Sequence, residues 1–182
     1  MDPGGFGDVR SIENLAVEGR RVFLRLDLNV PMQGARITDD TRIQEALPTI
    51  RHALDRRARL IIASHLGRPD GQPDPAFGLE PVGLRLAELL STEVLLTDDC
   101  VGDAAKKLAF DLREGGVLLL ENLRFHRGEE RNEDGFAREL ARLCEVYVND
   151  AFGVSHRAHA SVVALPRMIP DRAMGLLMHK EL

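Results

Sequence analysis

Short apolar runs alternate with amphipathic helical stretches along almost the whole chain, and that alternation leaves few folds open. Arg21 to Leu28 (RVFLRLDL), Arg59 to Ser64 (RLIIAS), Glu93 to Leu96, Gly116 to Leu120 (GVLLL) and Glu145 to Asn149 (EVYVN) read as strands. Several are apolar throughout, as strands covered on both faces are. Between them the spacing turns helical. The stretch from Asp40 to Arg57 puts Ile43, Ala46, Leu47, Ile50, Ala53 and Leu54 on one stripe, with Asp39 or Asp40 as cap and Pro48 as a kink. Helices are also expected over 79–90, 101–111 and 134–143, and helical character over 160–165 and 175–182. Five or six strands alternating with helices imply a mostly parallel sheet of about six strands in a three-layer, Rossmann-like α/β/α domain.

Folds of this kind bind ligands outside the carboxyl ends of their strands. The segments that follow the strands here are LNVPMQGARITDDTR, HLGRPDGQ, ENLRFHRGEER and DAFGVSHRAHAS. They bring Asp27, Asn29 and Arg42; His65, Gly67 and Arg68; Arg124 and His126; and His156, Arg157 and His159. Four strand ends thus each deliver an arginine to one rim. A solitary arginine after a strand is an ordinary solvated residue. Four together repel one another unless an anion joins them, so a phosphorylated or carboxylated ligand held by guanidinium forks is expected. Gly67 and Gly153 allow backbone amides close to such an anion. Asp27 and Asn29 offer acceptors to a ligand hydroxyl, although Asp27 can equally serve as a structural partner of an arginine. The histidines interleave with arginines that would repel a dication, so no metal site is expected.

Composition supports some classes and excludes others. The 182 residues fit one domain, with 44% hydrophobic and 29% charged residues, enough for a packed core. The net charge of −5 and the single Tyr147 with no Trp argue against nucleic acid as a partner. Of the 24 basic residues, 21 are Arg and three are Lys, a bias that a GC-rich genome also produces. No phosphate loop, GxSxG elbow or HExxH motif occurs. Gly5-Phe6-Gly7 gives half a dinucleotide fingerprint but precedes the first strand. MDPGGFGDVR has no signal-peptide pattern, and no apolar run reaches the ~20 residues of a membrane span. A monomer in the cytoplasm is the expectation, with Cys100 and Cys144 as buried thiols.

Four segments in order resemble the motifs of the phosphoglycerate kinase family: RLDLNVP (25–31) with ITDDTRI (37–43), SHLGRPDG (64–71), ENLRFHRGEE (121–130) and VNDAFGVSHRAHAS (148–161). The resemblance runs from about Ser11 onward. It implies the N-terminal, phosphoglycerate-binding domain over residues 1–182, with the interdomain hinge beginning near 175–182 and the nucleotide-binding C-terminal lobe not included. It implies that Asp27, Asn29, His65, Leu66, Gly67, Arg68, Arg124 and Arg157 hold 3-phosphoglycerate, and that Arg42 also acts on the transferred phosphoryl group as the catalytic residue. The implied activity is glycolytic phosphoryl transfer between 1,3-bisphosphoglycerate and ADP. Mg-ATP or Mg-ADP would bind to the other lobe, with no cofactor on this chain, and this chain alone would lack turnover. A non-catalytic folding unit and an anion-binding module remain the alternatives.

Overall fold

The computed structural model describes residues 10–181. The partial dinucleotide pattern at Gly5-Phe6-Gly7, most of the N-terminal segment read for a leader, and Leu182 lie outside the described residues. Eight strands and seven α-helices follow one another as β1 (Arg21–Arg25), β2 (Met32–Gln33), β3 (Arg36–Ile37), α1 (Thr41–Asp55), β4 (Arg59–Ala63), α2 (Glu80–Leu90), β5 (Val94–Leu96), α3 (Asp103–Asp111), β6 (Val117–Leu119), α4 (Arg127–Glu130), α5 (Asp134–Ala141), β7 (Val146–Asn149), α6 (Ala164–Met168), β8 (Arg172–Met174) and α7 (Leu176–Glu181). Six strands form one sheet in the order β5-β6-β4-β1-β7-β8, and every pairing in it is parallel. β2 and β3 make a separate antiparallel hairpin.

The two faces of the sheet follow from the period of two along each strand. Val22, Leu24, Leu60, Ile62, Val117, Leu119, Val146 and Val148 pack with Ile43, Leu47 and Ile50 of α1 and with Val82 and Leu86 of α2. Phe23, Ile61, Ala63, Leu118 and Tyr147 pack on the opposite side with Ala105 and Ala109 of α3, Phe136, Ala137 and Leu140 of α5, and Leu165 of α6. This is the expected three-layer arrangement. Among the described residues no helix is long and apolar enough to cross a membrane. Both cysteines are buried and free.

Some element bounds differ from the sequence reading. β1 ends at Arg25 rather than Leu28, because Leu28 turns its amide to Ser64 Oγ (2.9 Å). α1 ends at Asp55 rather than Arg57, with Pro48 inside it. Asp40 is the N-cap residue but makes no side-chain capping bond; it is Asp39 Oδ1 that accepts from the Thr41 amide (2.8 Å) and hydroxyl (2.5 Å), and these bonds hold the Asp39 carboxyl below its ordinary pKa. Asp40 instead binds Arg85 Nε at 2.8 Å. Helical backbone expected over 160–165 begins only at Ala164, since Ser161 is held by a side-chain network described below. Two strand additions escaped the pattern. The β2–β3 hairpin is too short to show an alternation, and β8 is an edge strand of three residues lying between Pro170 and Gly175.

β1 fixes the position of the site. Its neighbours are β4, which follows it in the chain, and β7, which is reached from β6 across the sheet. Connections that diverge on the two sides of a central strand leave a crevice at its carboxyl end.

Candidate functional site

At that crevice the segment after β1 delivers Asp27 and Asn29, and the first turn of α1 delivers Arg42. Arg42 Nη1 donates to Asp27 Oδ1 (3.0 Å) and to the Asn29 carbonyl (3.1 Å), while half of the Arg42 side chain stays exposed. Asp27 therefore fixes one end of the guanidinium and leaves the rest free for an anion. Asn29 is committed differently: its Oδ1 accepts from the Gly67 amide at 2.9 Å, so it anchors the loop after β4.

That loop carries His65, Leu66, Gly67 and Arg68. Gly67 sits at φ +62°, and a Cβ there would lie 2.3 Å from the Phe77 ring, so only glycine fits. Leu66 is buried; its carbonyl and that of Phe77 accept from Asn122 Nδ2 (2.8 and 3.0 Å). Asn122 Oδ1 in turn accepts from the Arg124 amide (3.0 Å), which orients the Arg124 side chain after β6. Arg124 Nη1 donates to the Gly67 carbonyl at 3.0 Å. Its buried Nε faces Glu130 Oε1 at 3.5 Å but makes no hydrogen bond. Arg68 is exposed and makes no hydrogen bond or ion pair among the described residues.

The loop after β7 closes the rim. Gly153 comes so near Asp27 that an added Cβ would lie 2.6 Å from Oδ2. His156 and Arg157 are exposed. His159 is buried, and its Nδ1 has no partner. Two buried polar atoms without partners, Arg124 Nε and His159 Nδ1, thus belong to the same rim. Buried polar groups are normally satisfied, so these two atoms are open to a further polar partner, as are His52 Nε2 and Arg59 Nε at the other end of the sheet. The structure brings Asp27, Asn29, Arg42, Gly67 and Arg124 into one bonded cluster, while the His65 side chain is bonded to Arg25 instead. It leaves Arg68 and Arg157 as free cations at the edge.

Behind the cluster lies a layer of residues that motif reading passed over. Arg25 is fully buried. Its Nε donates to Ser161 Oγ (2.8 Å), Nη1 to the Leu26 carbonyl, and Nη2 to His65 Nδ1 (3.0 Å). Glu129, also fully buried, accepts from the Ser161 amide (2.7 Å) and hydroxyl (2.5 Å) and lies 3.8 Å from Arg25 Nη2. Tyr147 Oη donates to the Ser161 carbonyl at 2.6 Å. A charged residue at an inward strand position was the available signal. Arg25 shares its face with Phe23, where an unpaired charge would be prohibitive.

This layer sets the chemistry of His65. A guanidinium only donates, so His65 Nδ1 accepts and the ring proton sits on Nε2. Burial first, then the charges of Arg25 and Arg124, push the His65 pKa down to about 2. His65 is therefore a neutral hydrogen-bond donor rather than a cation. His159 is shifted down as well, mainly by burial. Burial also lowers the pKa of Arg124, with Glu130 opposing.

A second cluster lies at the ends of β5 and β6. Asp99, Cys100 and His126 place a carboxylate oxygen, a thiol and a ring nitrogen within 4.8 Å of one another. Its atoms already satisfy each other. His126 Nε2 meets Asp99 Oδ1 at 2.6 Å, the same oxygen accepts from the Cys100 amide at 2.6 Å, and burial keeps the thiol protonated. His126, one of the rim histidines by sequence, thus turns to Asp99 and stacks on Phe136.

The model of one family, phosphoglycerate kinase, matches residues 12–182. The chain belongs to the phosphoglycerate kinase family. Phosphoglycerate kinases of Anaeromyxobacter sp. strain Fw109-5 and strain K are 56% and 58% identical to it over 176 and 177 residues, covering 95% of this chain and 44% of theirs. The solved phosphoglycerate kinase of Coxiella burnetii superposes with a TM-score of 0.87 at 39% identity, covering 96% of this chain and 43% of that one. That of Pyrococcus horikoshii OT3 gives 0.86 at 34% identity, covering 94% of this chain and 44% of that one. The chain therefore spans less than half the length of these phosphoglycerate kinases, and the part it matches is the N-terminal domain.

Proposed function

We propose that this domain binds 3-phosphoglycerate and 1,3-bisphosphoglycerate as the substrate lobe of a phosphoglycerate kinase. The observation that supports this best is the rim itself. Arg42, Arg68, Arg124 and Arg157 follow four different strands, with neutral His65 among the first three segments and two buried polar atoms lacking partners. A ligand carrying a phosphate and a carboxylate a few bonds apart matches such a set of planar forks. Asp27 and Asn29 hold Arg42 and the Gly67 loop in place beside one another.

In phosphoryl transfer to ADP, positioning and charge neutralisation supply most of the catalysis. In this reading Arg42, half exposed and fixed at one end by Asp27, is the catalytic residue that meets the transferred phosphoryl group. The described residues do not fit a magnesium nucleotide. The rim is cationic, and Asp27, the carboxylate nearest Arg42, is already bonded to it and to the Asn29 amide. Mg-ATP or Mg-ADP belongs to a C-terminal lobe, the expected partner, and no turnover is expected without it. A glycolytic role places the protein in the cytoplasm.

Titration of the chain with 3-phosphoglycerate tests this. Saturable binding is expected, and Arg68→Ala should weaken it by roughly tenfold or more, as loss of charge-assisted hydrogen bonds does. Adding a separately made C-terminal lobe should restore kinase turnover. An absence of binding at millimolar ligand would refute the reading in favour of a non-catalytic folding unit.

A further inference from the structure

Asp150, at the end of β7, is buried and is engaged on both carboxylate oxygens. Oδ2 accepts from Thr49 Oγ1 at 2.6 Å, and Oδ1 accepts from the Met178 amide at 2.9 Å. Thr49 Oγ1 in turn accepts from the Leu176 amide at 2.9 Å. Two amides of the first turn of α7, which have no partner within their own helix, are thus taken up by a side chain of α1 and one from the end of β7. Gly175 makes the close approach possible, since a Cβ there would lie 2.3 Å from Asp150 Cγ.

This joint connects three parts of the proposed site. Thr49 lies on α1, two turns beyond Arg42. Asp150 opens the loop that carries Gly153 and Arg157. Leu177 and Glu181 of α7 line the same cleft as Asp27, Arg42, Phe152 and Asp150 itself, whose two carboxylate oxygens are committed to Thr49 and Met178. We propose that Asp150, acting through Thr49 and the first turn of α7, is a positioning residue that holds α7 as the wall of the cleft facing Arg42. The proposal rests on the reading of that cleft as the substrate site. If α7 drifts, the cleft widens and the Glu181 carboxylate moves relative to Arg42, so the ligand loses its fit through the moved wall. Burial raises the Asp150 pKa, and the bonds from Thr49 and α7 oppose that rise, consistent with a carboxylate retained for what it holds.

Asp150→Asn, Thr49→Val and Thr49→Ser in the 182-residue chain test this by amide hydrogen exchange and by calorimetric titration with 3-phosphoglycerate. In Asp150→Asn and Thr49→Val the Leu176 and Met178 amides should exchange at least about tenfold faster, with β1 and β4 amides unchanged, because only local bonds are lost. Both variants should bind 3-phosphoglycerate several-fold more weakly. Thr49→Ser keeps the hydroxyl and should restore protection and affinity together, which a purely structural effect of the side chain's bulk would not do. Native binding with unaltered affinity in Asp150→Asn and Thr49→Val overturns this proposal alone. Unchanged exchange of the α7 amides does so too. If the native chain itself fails to bind, the reading of the rim falls, and this proposal with it.

Discussion

His65 shows how a residue's chemistry depends on what lies behind it. By type it is a cation candidate among arginines. In place it accepts from Arg25 and stays neutral. A histidine whose folded pKa falls to about 2 from 6.5 binds a proton more readily in the unfolded chain. Stability conferred by keeping it neutral is present above pH 6.5 and is lost as the pH falls below it. The expected slope approaches about 1.4 kcal/mol per pH unit once the unfolded chain is protonated. His159, also shifted down, adds in the same direction. Urea unfolding of the native chain and of His65→Asn between about pH 7.5 and 5 checks this, because asparagine offers Arg25 an acceptor and does not titrate. The variant should lose close to one proton's worth of slope; equal slopes would refute a neutral His65. At this scale the motif residues were legible because polar types stand out after apolar runs. Arg25, Glu129 and Ser161 were not, since pattern alone cannot say that a charge in a strand has a buried partner from a distant helix.

Between elements, the Arg25–Glu129 pair ties β1, α4 and the loop before α6 together through Ser161. Removing one member leaves the other charge buried and alone, which costs about 3–5 kcal/mol. Glu129→Ala should therefore destabilise the domain by that order in chemical denaturation, and replacing Arg25 and Glu129 together with Met and Leu should recover most of it. A loss below about 1 kcal/mol for the single variant, within the range of ordinary surface substitutions, would mean that water or relaxation compensates the charge. The same network explains why the sequence suggests helix over 160–165 while the chain turns there. The apolar spacing of Val162, Val163 and Leu165 is helical, but Ser161 is claimed by Glu129 and its helix begins only at Ala164. The central strands were readable as continuous apolar runs, and the longer helices because their period persists over several turns. β8, whose Arg172, Ala173 and Met174 form no apolar run, and the two-residue strands of the β2–β3 hairpin carry no such signal.

Across the molecule, the sheet gathers at one rim cations that the sequence scatters from Arg42 to Arg157, and this crowding of like charges sets how the domain should respond to its ligand. Arg68 and Arg157 have no counter-ion among the described residues, so an anion that bridges the rim relieves repulsion in the folded state and finds no equivalent in the unfolded chain. A ligand that binds only the folded state at about 100 times its dissociation constant stabilises by about 2.7 kcal/mol. For a domain of this size that corresponds to a rise in Tm of roughly 5–10 °C. Because the exposed arginines act through solvent, the rise should shrink when the ionic strength goes from about 0.02 to about 0.5 M, where the Debye length falls well below the width of the rim. Arg157→Ala should reduce both the shift and its salt dependence, since it removes an exposed charge while leaving the bonded cluster around Asn29, Gly67 and Arg124 in place. Differential scanning fluorimetry with 3-phosphoglycerate at the two salt concentrations measures all of this at once. A shift independent of salt would place the binding energy in the buried donors, His65 Nε2 and Arg124, rather than in the collective field of the rim.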